Sequence, residues 1–92
     1  MLNLRDVLAV VPGVVTQASE DGLVVVLPQK GKYMVLNGSG AVVFELIDGR
    51  RTLQDVAAAL CDRYEGLSAE QAQKDVSALA KKLVARGVLV AE

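Results

Sequence analysis

The stretch Lys32–Gly40, KYMVLNGSG, decides how this chain folds. Its first half sets Tyr33, Met34, Val35 and Leu36 side by side, an aromatic, aliphatic and β-branched mix that suits a strand. Its second half, Asn37-Gly38-Ser39-Gly40, breaks that run, and from Gly38 onward the apolar residues recur at helical spacing. The segment before the break reads as extended and the segment after it as helical. A strand placed there ends a small sheet, so one of its sides has no partner in the neighbouring sequence.

Working back from it, QKG at 29–31 is a turn, with Gly31 free to take positive φ. LVVVLP at 23–28 is apolar at every position before Pro28, which puts Leu23–Leu27 in the middle of something. EDG at 20–22 is a hairpin turn, because Asp-Gly accepts positive φ, and VVTQAS at 14–19 is a further short strand. These segments predict a three-stranded antiparallel meander over 14–37, with the first and third strands as edges. In the arm at 1–12, Leu4, Val7, Leu8 and Val11 have helical spacing, yet Pro12 closes the segment and its β-branched residues favour extension. The arm is expected to be irregular or partly extended.

Working forward, residues 39–87 hold three helices. Asn37 or Ser39 caps the first, whose stripe is Val42, Val43, Leu46 and Ile47 with Phe44 alongside, and Gly49 supplies a left-handed stop. Thr52 caps the second, with Asp55 in place of the usual Glu or Gln of a capping box; Leu53, Val56, Ala57, Leu60 and Tyr64 form its buried face, and Gly66 ends it. Ser68 with Gln71 is a capping box for the third, striped by Ala72, Val76, Leu79, Ala80 and Leu83 and closed by Gly87. The tail at 88–92 is extended and covers one end of the core. The expected fold is a single α+β domain of winged helix-turn-helix-like type, a three-stranded antiparallel sheet followed by three helices.

Composition narrows the function. The chain has 92 residues, 52% of them hydrophobic, with one Phe, two Tyr and no Trp, so Val, Leu and Ala must build the core. There is no His, which removes the commonest general base and metal ligand. The single Cys61, one turn after Ala57, reads as a small apolar filler, excludes an internal disulfide framework and fits a reducing compartment. Asp48, Asp55, Asp62 and Asp75 are dispersed rather than clustered for a metal. Gly38-Ser39-Gly40 lacks the Gly-Lys-Ser/Thr of a phosphate loop and reads as a corner. No catalytic residue, cofactor or metal is expected. The apolar run Val7–Val15 is broken by Pro12 and Gly13 and lacks a cleavage site, and no run is long enough to span a membrane, so a cytoplasmic protein is expected.

Three helices and a wing invite a DNA-binding reading. Net charge is −1, and the third helix mixes Lys74, Lys81, Lys82 and Arg86 with Glu70 and Asp75. Affinity for a phosphate backbone needs uncompensated cations, which argues against nucleic acid. The third strand is more telling. Natural edges are protected by Pro, charge or bulges, and this one has only Lys32 before four apolar residues. Such an edge is open to an extended peptide that adds as a strand, to a second copy of the chain, or to cover by a helix or the tail. A winged-helix regulator and a homodimerising module remain the alternatives to a peptide binder, which would be a monomer or weak dimer.

The ordered set DG, VLP, GKYMVLNGSGAVVFELIDGRRTLQDVAAAL and then Asp75-Val76, Leu79, Leu83, Gly87 resembles the PqqD-like family over about residues 12 to 91. Phe44 stands where that family often has Trp, which keeps the bulk. The resemblance implies a non-catalytic recognition domain for ribosomally made, post-translationally modified peptides. It implies that the leader of a precursor peptide adds to the third strand, in a groove walled by the third helix. The domain then presents the precursor to a modifying enzyme, which is a leader protease and cyclase pair in lasso-peptide pathways or a radical enzyme in quinone-cofactor pathways. The short length and Val/Leu core look more like the lasso-peptide type. Carried onto this chain, the strand side of the groove is Lys32, Tyr33, Met34, Val35 and Leu36. On the third helix, Asp75, Lys82 and Arg86 share one flank with Ala78 just beyond, and Gln73, Ser77 and Val84 share the other. The first flank is the expected one: Asp75 holds a family position, and Lys82 and Arg86 suit acidic leader residues.

Overall fold

The computed structural model describes residues 2–91; Met1 of the arm and Glu92 of the tail lie outside the described residues. In chain order the elements are β1 (Leu8–Val10), β2 (Val15–Ser19), β3 (Gly22–Leu27), a 3-10 turn (Pro28–Lys30), β4 (Lys32–Leu36), α1 (Ser39–Leu46), α2 (Leu53–Arg63), α3 (Ala69–Ala85) and β5 (Leu89–Ala91). β2, β3 and β4 are the expected meander in the order β2-β3-β4, both pairs antiparallel. β4 is therefore an edge.

Period-two alternation sets the faces of the sheet. Leu23, Val25 and Leu27 of β3 turn onto the helices and are buried, while Val24 and Val26 face the other way and are only half-buried. β3 is central within its sheet, but among the described residues no second layer covers the outer face. That face carries the cross-strand rows Val15–Val26–Tyr33 and Gln17–Val24–Val35.

The core is aliphatic with one aromatic. Leu53, Val56 and Leu60 of α2 meet Val76, Ala80 and Leu83 of α3, with Val43 and Phe44 of α1 and Leu8 in the same cluster. Among the described residues no polar side chain is buried. Tyr64, expected on the buried face of α2, instead follows its last turn as the C-cap and is 37% exposed.

Helix starts differ in detail from expectation. Neither Asn37 nor Ser39 caps α1; Gly38, at φ 54°, occupies the N-cap with no side-chain bond. The complete capping box belongs to α2: Thr52 Oγ1 accepts the Asp55 N–H at 3.1 Å and the Asp55 carboxylate accepts the Thr52 N–H at 3.2 Å. At α3 Ser68 Oγ accepts the Gln71 N–H at 3.1 Å, but the Gln71 amide turns forward to donate to Asp75 at 2.8 Å, so only half the box forms. Thr52→Ala is accordingly expected to lower stability by about 1 kcal/mol, seen as a lower urea midpoint at unchanged slope.

The loop between α1 and α2 is tied by Asp48, whose carboxylate accepts the backbone N–H groups of Arg51 and Arg50 at 2.9 Å each. Those two bonds, with the Arg51 guanidinium at 3.3 Å, hold the Asp48 carboxyl below the usual carboxylate range. The stabilisation is present at neutral pH and is lost as pH falls through the lowered value.

The arm and tail form more structure than their sequences announce. β1 pairs antiparallel with β5, Leu8 opposite Ala91 and Val10 opposite Leu89. The arm is further stitched to α2, with the Leu53 N–H on the Asp6 carbonyl and the Gln54 N–H on the Leu4 carbonyl, both at 2.9 Å. The tail is thus committed to β1 and leaves the β4 edge uncovered.

Candidate functional site

The register of the meander determines what β4 offers. A two-residue hairpin closes on a hydrogen-bonded pair, here Ser19 with Gly22, and the pairs then alternate. Gly22, Val24 and Val26 thus bond to β2, which leaves Leu23, Val25 and Leu27 to bond Leu36, Met34 and Lys32 of β4. Tyr33 and Val35 keep their N–H and C=O on the open side. Their side chains stand on the outer face, 71% and 46% exposed. Met34 and Leu36 point the opposite way, toward the helices, where Met34 is half-buried and Leu36 is 8% exposed.

Of the five strand residues expected at the site, Tyr33 and Val35 therefore carry the free backbone groups, Met34 lends a side chain to the groove floor, and Lys32 stands exposed at its start. Leu36 offers neither backbone nor side chain, because its backbone faces β3 and its side chain is in the core.

α3 forms the opposite wall. Asp75 lines a cleft of about 400 Å³ with Ser39 and Glu65 beyond the Leu36 end of β4. Arg86 and Ala85 line a second cleft, of about 390 Å³, with Lys32, Tyr33 and Met34 at the other end. The steps from 75 to 79, 82 and 86 follow one helical stripe, so the wall runs along β4. Half-buried Leu79 marks its middle: a Cβ placed on Gly40 would stand 3.8 Å from Leu79 Cδ2 and 4.0 Å from Leu36 Cβ. Asp75, Ala78, Lys82 and Arg86 are all exposed. On the other flank, Ser77 shares a cleft with Leu2–Arg5 of the arm and Gln73 shares one with Ala57 and Cys61 of α2. That flank of the helix faces the arm and α2 rather than β4.

Two contributors escaped the sequence. Lys30, in the turn before β4, reaches across to α3 and donates to the Arg86 carbonyl at 3.5 Å. Ala85 lies beside Arg86 in the same cleft. The only hint of Lys30 was its place two residues before Lys32, and nothing local reports a contact with a residue so distant in sequence.

The family model described as coenzyme PQQ synthesis protein D (PqqD) matches residues 22–89, which span the sheet from β3, the three helices and the start of β5. The chain belongs to the PqqD family. Solved structures share the PqqD architecture. The PqqD truncation of Methylobacterium extorquens PqqCD, solved by NMR as a functional, stand-alone recognition element for ribosomally synthesised and modified peptides, is 23% identical with a TM-score of 0.82, covering 98% of this chain and 95% of that one. A lasso peptide synthetase B1 complexed with its leader peptide is 24% identical with a TM-score of 0.81, covering 90% and 96%. TbiB1 in complex with the TbiA(beta) leader peptide is 20% identical with a TM-score of 0.79, covering 88% and 93%. No curated protein matches the chain. At these identities the structural likenesses speak for the fold. Among the described residues no helix is long and apolar enough to cross a membrane.

Proposed function

We propose that this protein is a non-catalytic recognition element that takes the leader segment of a ribosomally made precursor peptide as an added strand on β4 and delivers the precursor to a modifying enzyme or leader protease. The observation that carries the reading is the uncovered edge at Tyr33 and Val35, facing a helix wall in a member of the PqqD family. Strand addition draws affinity from backbone bonds and selectivity from side-chain pockets, and the clefts at either end of β4 are such pockets. Asp75, Ala78, Lys82 and Arg86 are the helix-side contacts in this reading. The lasso-peptide type is the favoured setting, since two of the similar structures are B1 proteins bound to leader peptides. The site of action is cytoplasmic.

Capture on the immobilised full chain from a lysate of the source organism, with the bound species identified by mass, tests the reading. The expected product is a short precursor carrying an N-terminal leader, released by the synthetic leader alone. Retention of DNA with a steep salt dependence, or a dimer that no peptide competes apart, would replace it with the regulator or the homodimer.

A further inference from the structure

Charge is distributed unevenly along the groove. Around the start of β4, Lys30, Lys32 and Arg86 rim the cleft of about 390 Å³, and Lys82 stands one turn before Arg86 on the same helix. No acidic residue lines that cleft, and its apolar floor is Leu27 and Met34. Among the described residues, ion pairs join only Arg51 to Asp48 and Lys74 to Glu70, so the four cations here have no acidic partner. Lys30 is additionally held in place by its bond to the Arg86 carbonyl at 3.5 Å. At the far end of β4 the sign reverses, with Asp75 and Glu65 lining the opposite cleft.

We infer that the cleft bounded by Lys30, Lys32 and Arg86 is a carboxylate subsite, which seats a Glu or Asp side chain of the bound segment. This rests on the strand-addition reading and adds to it the chemistry and the place of one anchor. A segment hydrogen-bonded to Tyr33 passes beside this cleft. Its acidic side chain lays its methylenes over Leu27 and Met34 and brings the carboxylate between cations that are otherwise unpaired. A cation there meets repulsion from several like charges, and a neutral side chain leaves them as they were. The acidic cleft at the other end makes the reversed placement unfavourable, so the groove fixes which end of the segment carries the acid.

The test is selection of a displayed random dodecapeptide library on the immobilised full chain. Wild type is expected to enrich an acidic residue at a constant spacing from the apolar positions. Its replacement by Gln in a selected peptide should weaken binding about fivefold, with a smaller effect at high salt. Selection on Lys32→Glu combined with Arg86→Glu should turn that preference to Lys or Arg; Lys32→Gln with Arg86→Gln, which is gentler on the fold, should erase it. Peptides that Val35→Pro loses but that show no acidic preference, or one unmoved by these variants, overturn the subsite alone. No selected peptide, or peptides that Val35→Pro retains, overturn strand addition and the subsite together.

Discussion

Replacing Val35 by proline is expected to abolish leader capture while the fold survives, whereas replacing its neighbour Met34 by proline is expected to destabilise the fold itself. The two positions differ only in which way their backbone faces. Val35 turns its N–H to the open edge, so proline there removes a donor that has no partner within the sheet and sets its ring where an incoming strand must approach. Lost bonding and steric exclusion together amount to about 2–3 kcal/mol, on the order of 100-fold in affinity. Met34 turns its N–H to Val25 of β3, so proline there breaks a ladder bond inside the sheet and is expected to cost about 3 kcal/mol of stability. Thermal melts and peptide titrations on both variants separate the effects. Equal behaviour of the two would show that the alternation assigned to β4 is wrong.

Gly22→Ala should be the most damaging small substitution in the sheet. Gly22 sits at φ 137°, where an L side chain is strained, and a Cβ built on it falls on the Leu36 carbonyl oxygen and within 3.1 Å of Asn37. Those contacts are backbone and the Asn37 Cβ fixed to it, at the corner where β4 turns into α1, so nothing flexible can move aside. Strain and overlap together predict a loss of about 3 kcal/mol, or roughly 12–24 °C in melting temperature for a domain of this size. Gly13, at φ 95° with nothing within 4 Å of its would-be Cβ, is the comparison: Gly13→Ala meets only the backbone strain, so its melting temperature should fall by much less. Similar losses at both positions would show that φ alone, and not the corner, governs Gly22.

The meander and the helices were legible because each is a local pattern: apolar runs broken at Asp21-Gly22 and at Gly31 set the hairpins, and 3.6-residue stripes with Thr52 and Ser68 set α2 and α3. β1 was not, since three residues carry no clear period and the partner that makes them a strand lies at the other end of the chain. The same limit applied to the site. The apolar edge was readable from the run Tyr33–Leu36, while helical spacing offered two flanks of α3 without choosing between them. Which strand residue faces the open side depended on the closing pair of a hairpin, and the place of Lys30 depended on how the turn and the end of α3 come together. That Leu36 turns its side chain into the core was not readable, because a run of four apolar residues does not itself say where the phase of the ladder falls.

The pairing of β1 with β5 has a bearing on synthesis. Val88 and Leu89 are buried, and the Val88 N–H bonds the Leu83 carbonyl at 2.9 Å while its own carbonyl receives the Val11 N–H, so Val88 secures the end of α3 and ties it to the arm just after β1. Every residue of the groove is translated before that latch exists. A chain released before Val88 carries a complete set of groove residues on a helix with an unsecured end, and is expected to be cleared as an unfolded product rather than to sequester precursor unproductively.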